Sequence, residues 1–415
     1  MKKIKSDKTK KKNNKLIKWF KKKLKSKKLQ FNLGETIIFM LITFSFGLVL
    51  GGVVMYGKGF FGHHTTSTMN EFISTYSDIV NNYYEDVNED ELLEAGINGM
   101  LRKLGDPYTV FMSKNQADDF NESVEGIYHG IGAQIKYDDK FEHVLIGEVF
   151  ENSPAEQAGL MTDDELIKVN GESIEKMSLS KISSIVKGED GTEVELTILR
   201  DGEEKILKIK RGSVDNISVE GKVIEKDNQK IGYLAITVFA ANTFDQFKKE
   251  LEILEAQKID SLIIDVRGNS GGYLTTVTDM LSMFTKKDEI IYKLKTKDKL
   301  EVIRDKTDEH RDYRIVILAN SGSASASEVL TGCLKETYGA KVVGTKTFGK
   351  GKVQKLYSLS SGAVVKYTYQ EWLTPEGNYI DSVGIEPDYE IKYELNKDKD
   401  NQLDKALEVI TKEEW

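Results

Sequence analysis

A serine in a run of small residues, followed 25 positions later by a lysine held between glycines, is the pairing in this chain best suited to chemistry. The serine lies in Asn320-Ser321-Gly322-Ser323-Ala324-Ser325-Ala326-Ser327-Glu328, which follows the apolar run Arg314-Ile315-Val316-Ile317-Leu318-Ala319 and leads into a helical pattern. Strand, tight turn and helix are expected there, and Ser325 with Glu328 has the spacing of a capping box that opens a helix. A hydroxyl at that point sits beside backbone N–H groups of partial positive charge, an environment that stabilises an oxyanion. A nucleophilic serine also needs a base. The chain has five histidines, His63, His64, His129, His143 and His310, and none is well placed; His63 and His64 fall in a linker and His310 in a charged loop. Lysine is the other known partner of a serine, and Thr347-Phe348-Gly349-Lys350-Gly351-Lys352-Val353-Gln354 offers Lys350 between two glycines that allow close backbone approach. Such a lysine acts as a base only when neutral, so burial must lower its pKa from about 10.4.

These residues resemble the signature of the C-terminal processing peptidases (tail-specific proteases), serine endopeptidases with a Ser-Lys dyad. The resemblance implies that Ser325 is the nucleophile, Lys350 the base and Gln354 the residue that orients the lysine. It implies an oxyanion hole from the N–H groups of Gly271 and Ala326, with Gly272 as the near alternative to Gly271.

Other chemistries fit less well. Gly344 to Lys350 matches the first part of a phosphate-binding loop, and Leu262-Ile263-Ile264-Asp265 resembles a strand ending in a metal-binding aspartate. Gly351, however, stands where a Ser or Thr should bind magnesium, and Lys352 to Leu359 alternates like a strand instead of opening a helix. The single cysteine, Cys333, excludes an internal disulfide and reads as a small core residue. There is no Cys/His cluster and no His-Glu-x-x-His, so no metal and no cofactor are expected.

The elements that must position the dyad follow from the rest of the chain. Residues 1–28 hold fifteen lysines and one aspartate, net +14, which leaves −22 on the remainder of a chain whose net charge is −8. Residues 36–57 then carry no charge and suffice for one membrane span. The lysine excess before the span places the N-terminus in the cytoplasm, and no Ala-x-Ala site follows, so a retained single-pass anchor is expected with the catalytic part outside the cytoplasm. This explains the lysines better than nucleic-acid binding does. Apolar residues at helical spacing from Met69 to Lys103 indicate helices, and Leu104-Gly105-Asp106-Pro107-Tyr108-Thr109 reads as a turn that resembles the motif before the sensor domain of the same family.

From Gly126 to about Gly212 the chain resembles a PDZ domain. Gly130-Ile131-Gly132-Ala133 corresponds to the carboxylate-binding loop, Ser153 to Leu160 to a PDZ helix and turn, and Asp164 to Gly171 to a strand and turn. Successive N–H groups in such a loop make a nest for a terminal carboxylate, and an open sheet edge accepts the peptide as a further strand. In relatives an arginine before the glycine that precedes the last PDZ strands is thought to couple peptide binding to the active site. Here the place is Lys187, which lacks the planar two-pronged contact.

Beyond the PDZ stretch, Ile231 to Ile236 and Ser261 to Arg267 read as strands, residues 242–254 and about 275–284 as helices, and Gly268-Asn269-Ser270-Gly271-Gly272 as a second strand-to-helix turn. The two glycine-containing turns should meet at one edge of an α/β sheet, where such sheets place their sites. The closing segments Leu373 to Gly377 and Val383 to Asp388 also resemble the family. Residues 396–415 form an amphipathic helix that packs either on the core or on a second subunit, the latter making a homodimer.

The expected fold class is α/β, a crotonase/ClpP-like protease core with an inserted PDZ domain, an N-terminal helical segment and one transmembrane helix. Its segments are 1–35 (cytoplasmic tail), 36–57 (anchor), 69–125 (helical segment), 126–212 (PDZ), 213–395 (protease core) and 396–415 (C-terminal helix). The expected substrates are proteins with unfolded, apolar C-terminal tails. The alternative is a catalytically silent PDZ scaffold at the cell surface.

Overall fold

The computed structural model describes residues 40, 43, 44, 67–138, 143–394 and 399–412. The expected tail, and all of the expected anchor except Met40, Thr43 and Phe44, lie outside the described residues. Among the described residues no helix is long and apolar enough to cross a membrane.

Two compact units divide at Leu92. In the first, helix α1 (Ser67–Asn82) leaves no residue fully buried, and helix α2 (Glu89–Leu104) begins. Acidic Glu89, Asp90 and Glu91 occupy the first turn of α2 and Arg102 and Lys103 its last, the arrangement that suits a helix dipole.

The second unit holds the remaining elements. Strand β1 (Val110–Met112) leads to helix α3 (Lys114–Glu125), which starts at a Ser113/Gln116 capping box and stops at Gly126 in the left-handed conformation. Next come β2 (Ile127–Gly130), β3 (Ala133–Asp138), β4 (His143–Val149), the one-turn helix α4 (Pro154–Gln157), β5 (Glu165–Val169), β6 (Glu172–Ser173), helix α5 (Leu179–Val186), β7 (Glu193–Arg200), β8 (Glu203–Lys210) and β9 (Gly212–Asp215). Strands β3-β4-β5-β7-β8 form an antiparallel sheet with β6 on β5, around a core that includes Ile146, Ile182, Leu196, Ile198 and Ile209. The chain enters and leaves this body side by side, because β2 pairs with β9 from Ile127↔Asp215 to Gly130↔Gly212. A body with adjacent ends is one that can sit as an insertion within another domain.

The larger sheet follows: β10 (Val219–Lys226), β11 (Gln229–Ile236), helix α6 (Thr243–Ala256), β12 (Ser261–Asp265), helix α7 (Leu274–Leu281), then β13 (Ile290–Lys295) and β14 (Leu300–Arg304) as a hairpin, β15 (Arg314–Ala319), helix α8 (Ala326–Cys333) continued by a π-turn over Leu334–Tyr338, β16 (Lys341–Gly344), β17 (Lys352–Ser358), β18 (Val364–Leu373), β19 (Tyr389–Glu390) and helix α9 (Asn401–Lys412). The order is β10-β11-β12-β15-β16-β19, with every neighbouring pair parallel except β10 and β11. Parallel strands joined through helices are buried on both faces, and all five residues of β12 are buried. Leu262, Ile264, Ile315, Ile317 and Val342 pack under α6, α7 and α8, while Ile263, Val316, Leu318 and Val343 meet Ala406, Leu407, Val409 and Ile410 of α9. The C-terminal helix thus packs on the core. Strands β1-β18-β13-β14, with β17 on β18, form a separate antiparallel sheet.

Candidate active site

Ser325 stands at the turn from β15 to α8. Its backbone adopts φ 55°, ψ −114°, a conformation that L-residues seldom hold and that costs on the order of 1–3 kcal/mol unless its surroundings enforce it. Those surroundings are the loop after β12. Ser323 Oγ donates to Val266 O at 2.7 Å, Ala324 N to Asn269 O at 3.0 Å and Ser327 Oγ to the same carbonyl at 2.8 Å. The hydroxyls of Ser323 and Ser327 are therefore buried and committed to backbone, whereas Ser325 reaches a cleft lined by Ser270, Gly271, Gly272, Lys350, Gln354 and Lys366, among others.

Lys350 is tied to the Ser325 turn by one buried carboxylate. Glu328 Oε2 accepts from Ser325 N at 2.9 Å and from Lys350 N at 2.8 Å, while Oε1 accepts from Thr347 Oγ1 at 2.6 Å and Gly349 N at 2.7 Å. Trp372 Nε1 holds the Lys350 carbonyl from the other side at 2.9 Å. Burial, with a smaller contribution from Lys366, lowers the Lys350 pKa below the usual lysine value, against the opposing pull of Glu328 and Asp106. Among the described residues its ammonium has no hydrogen-bond or carboxylate partner; it lies over the Tyr108 ring, 5.0 Å from the centroid. No hydrogen bond joins it to Ser325 Oγ. The side-chain amide of Gln354 donates to Thr368 Oγ1 at 3.3 Å, not to Lys350.

The oxyanion donors expected at Gly271 and Ala326 need one correction. Gly271 approaches Ser325 closely: a Cβ built on it would lie 2.8 Å from Ser325 Cβ and 3.0 Å from Ala326 N. Its own N–H, however, is spent on Asn269 Oδ1 at 2.8 Å, and Asn269 is in turn fixed by a 2.9 Å bond to Ile236 O. Gly272 N–H and Ala326 N–H are the ones left without a protein acceptor among the described residues. Which of two adjacent glycines keeps a free N–H depends on the side chain two residues upstream, and sequence alone did not separate them.

In the insertion, Ile131 and Gly132 likewise keep N–H groups without partners among the described residues, at the turn into β3. Ile131 O is held by Ala155 N at 2.7 Å and Gly132 O by Phe150 N at 3.0 Å. Gly132 has φ 79° and no room for a side chain, since a Cβ would meet Ser153 Cβ at 2.3 Å. Gly130, Ile131, Ala133 and Ile135 line a groove whose opposite wall is Leu179 and Val186 of α5, and α3 closes one side with Asp119, Glu122 and Ser123. Lys187 pairs with Glu122 at 3.3 Å.

The segment Gly344 to Lys350 opens into strand β17, as its alternation indicated, and not into the helix that a phosphate-binding loop requires. Cys333 is fully buried and its thiol is pushed up to about 12 by that burial, which leaves it inert. Among the described residues no group of three or more His, Cys, Asp or Glu is placed to hold a metal.

Comparison with known proteins identifies the family. Residues 230–391 match the model of peptidase family S41, residues 145–200 that of a PDZ domain, and residues 58–116 that of the activating protease CtpB N-terminal domain. A probable CtpA-like serine protease of Staphylococcus haemolyticus is 41% identical over 76% of this chain and 63% of its own length. The carboxy-terminal processing protease CtpB of Bacillus subtilis is 39% identical over 78% of this chain and 68% of its own. The photosystem II D1 C-terminal processing protease is 24% identical, over 83% of this chain and 98% of that structure, with a TM-score of 0.48. The chain belongs to the carboxy-terminal processing proteases of peptidase family S41.

Proposed function

We propose that this protein is a serine endopeptidase in which Ser325 and Lys350 act as a dyad, anchored to the cell membrane through residues 36–57 with the catalytic part outside the cytoplasm. The observation that carries the reading is the Glu328 carboxylate, one oxygen of which binds the backbone N–H of both Ser325 and Lys350. Neutral Lys350 takes the proton from Ser325 Oγ, which attacks the scissile carbonyl carbon. The carbonyl oxygen becomes an oxyanion against the N–H groups of Gly272 and Ala326, and the lysine returns its proton to the departing amine. Water then hydrolyses the ester by the same steps. Gln354, four residues along the strand, orients the lysine as it moves towards the serine.

The groove between β3 and α5 is the proposed reader of substrate tails. Its unpartnered Ile131 and Gly132 N–H groups suit a terminal carboxylate, and its apolar walls suit an apolar last residue. Cleavage of an unfolded protein with an apolar C-terminus, by the full chain in detergent, tests the whole reading. Wild type should cut, while Ser325→Ala and Lys350→Ala should be folded by circular dichroism and inactive. Cleavage by Ser325→Ala removes the dyad, and equal cutting of a substrate whose tail is polar removes the groove's role.

A further inference from the structure

The Gly105-Asp106-Pro107-Tyr108 turn has no part in the reaction as described, yet it lies against the base. Its conformation is tightly fixed. Asp106 accepts from Tyr108 N at 3.0 Å through Oδ1 and from Thr109 Oγ1 at 2.6 Å through Oδ2. Thr109 Oγ1 in turn accepts from Thr368 N at 3.1 Å, which ties the turn to β18 beside Gln354. The ring of Tyr108 is thereby held where the Lys350 ammonium sits 5.0 Å above its centroid, within the range of a cation–π contact. This is the one direct side-chain contact of the ammonium among the described residues, besides the longer-range pull of Glu328 and Asp106.

We propose that Tyr108 is a positioning residue for the reaction: its ring seats protonated Lys350 apart from Ser325 and releases the side chain once it is neutral. A ring quadrupole attracts an ammonium and has no comparable hold on an amine. Deprotonation would therefore free the lysine in the same step that makes it a base. The other charges facing Lys350 make no hydrogen bond or ion pair with its ammonium. Lys366 on β18 repels it, Glu328 on α8 and Asp106 in the turn attract it while their oxygens are occupied by other donors, and Lys352 is paired with Glu371 and Asp381.

The proposal rests on Lys350 being the base, and the test separates the two. In the full chain carrying Ser325→Ala, the reaction of Lys350 with acetic anhydride is followed against pH by mass spectrometry, which reads the ionisation of the lysine without needing activity. Tyr108→Leu keeps apolar cover but removes the ring, so the midpoint should fall by about 0.4–1.5 pH units; Tyr108→Phe should restore the wild-type midpoint. In chains with Ser325 intact, the rising limb of the cleavage rate against pH should move down by the same amount in Tyr108→Leu. If Tyr108→Leu does not fold, pentafluorophenylalanine in place of Tyr108 keeps the ring's shape, withdraws its negative face and should lower the midpoint likewise. A midpoint that stays or rises overturns the seat. Cleavage retained by Lys350→Ala overturns the base assignment, and with it the catalytic meaning of the seat.

Discussion

Glu328→Gln is the substitution that should reveal most about how this site is built. The wild-type carboxylate is fully buried and accepts four hydrogen bonds, two at each oxygen. Glutamine keeps the size but replaces one oxygen with a donor. An amide nitrogen at the Oε2 position would face the N–H groups of both Ser325 and Lys350. At Oε1 it would face Gly349 N–H and Thr347 Oγ1, and a hydroxyl can turn to accept, so the amide should settle that way. Gly349 N–H then goes unmatched, at about 1–3 kcal/mol, the turned Thr347 hydroxyl gives up its own acceptor as well, and the two bonds to Ser325 and Lys350 fall from charge-assisted to neutral strength, about 1 kcal/mol each. The expected loss is about 3–5 kcal/mol in urea unfolding, a large share of the roughly 5–15 kcal/mol that holds a domain. Because the carboxylate fixes the spacing of the Ser325 and Lys350 backbones, the reaction of Ser325 with a fluorophosphonate should also slow, on the order of 100-fold for a 1 Å displacement. A stability change below about 1 kcal/mol together with an unaltered labelling rate would refute the idea that this carboxylate sets the geometry.

Four further outcomes follow from the same structure. Gly271→Ala, at φ 107° and with its Cβ 2.8 Å from both Ala324 O and Ser325 Cβ, should displace the nucleophile turn and abolish fluorophosphonate labelling; labelling at the wild-type rate would contradict the close approach. Ile410→Ala on α9 opens a cavity under a fully buried side chain and should cost about 2–5 kcal/mol by denaturation. Cleavage should rise with pH through the lowered Lys350 pKa. The same shift has a stability consequence: between the lowered value and 10.5 the unfolded chain binds more protons than the folded one, so this group's contribution grows with pH and its penalty is full below that window. Lys350→Met should accordingly be more stable than wild type at neutral pH and lose that advantage above 10.5, which thermal melts across pH will show.

The sheet and the turns that carry Ser325 and Lys350 were legible in the sequence because each leaves a local trace. The buried run at Ser261–Asp265 and the apolar run before Asn320 read as strands, and the small-residue turns mark where helices begin. What stayed hidden depends on contacts between distant segments. Glu328 read as a helix cap, and so it is towards Ser325, but nothing local says that it also takes the backbone of Lys350. The amphipathic stripe of the last helix announced a buried face without naming its cover; Ile263, Val316 and Leu318 provide it. The hairpin Ile290–Lys295 and Leu300–Arg304 passed unnoticed because its outer strand is largely exposed and lacks the apolar alternation that marks a half-buried strand.

The pairing of β1 with β18 has a consequence for synthesis. It joins Val110 to Lys366 and brings the Tyr108 turn under a lysine made much later on the ribosome. Closing so long a loop is entropically unfavourable, although the cost grows only slowly with length, and the insertion, whose ends meet through β2 and β9, shortens the path by folding on itself first. Since domains fold from the N-terminal side as they emerge, the PDZ body is complete while the serine, the lysine and the strand that fastens the turn are still unmade. A nascent chain of this protein therefore completes its PDZ groove before the segments that carry Ser325 and Lys350 are made, so any chemistry those two residues support must wait for nearly the whole chain.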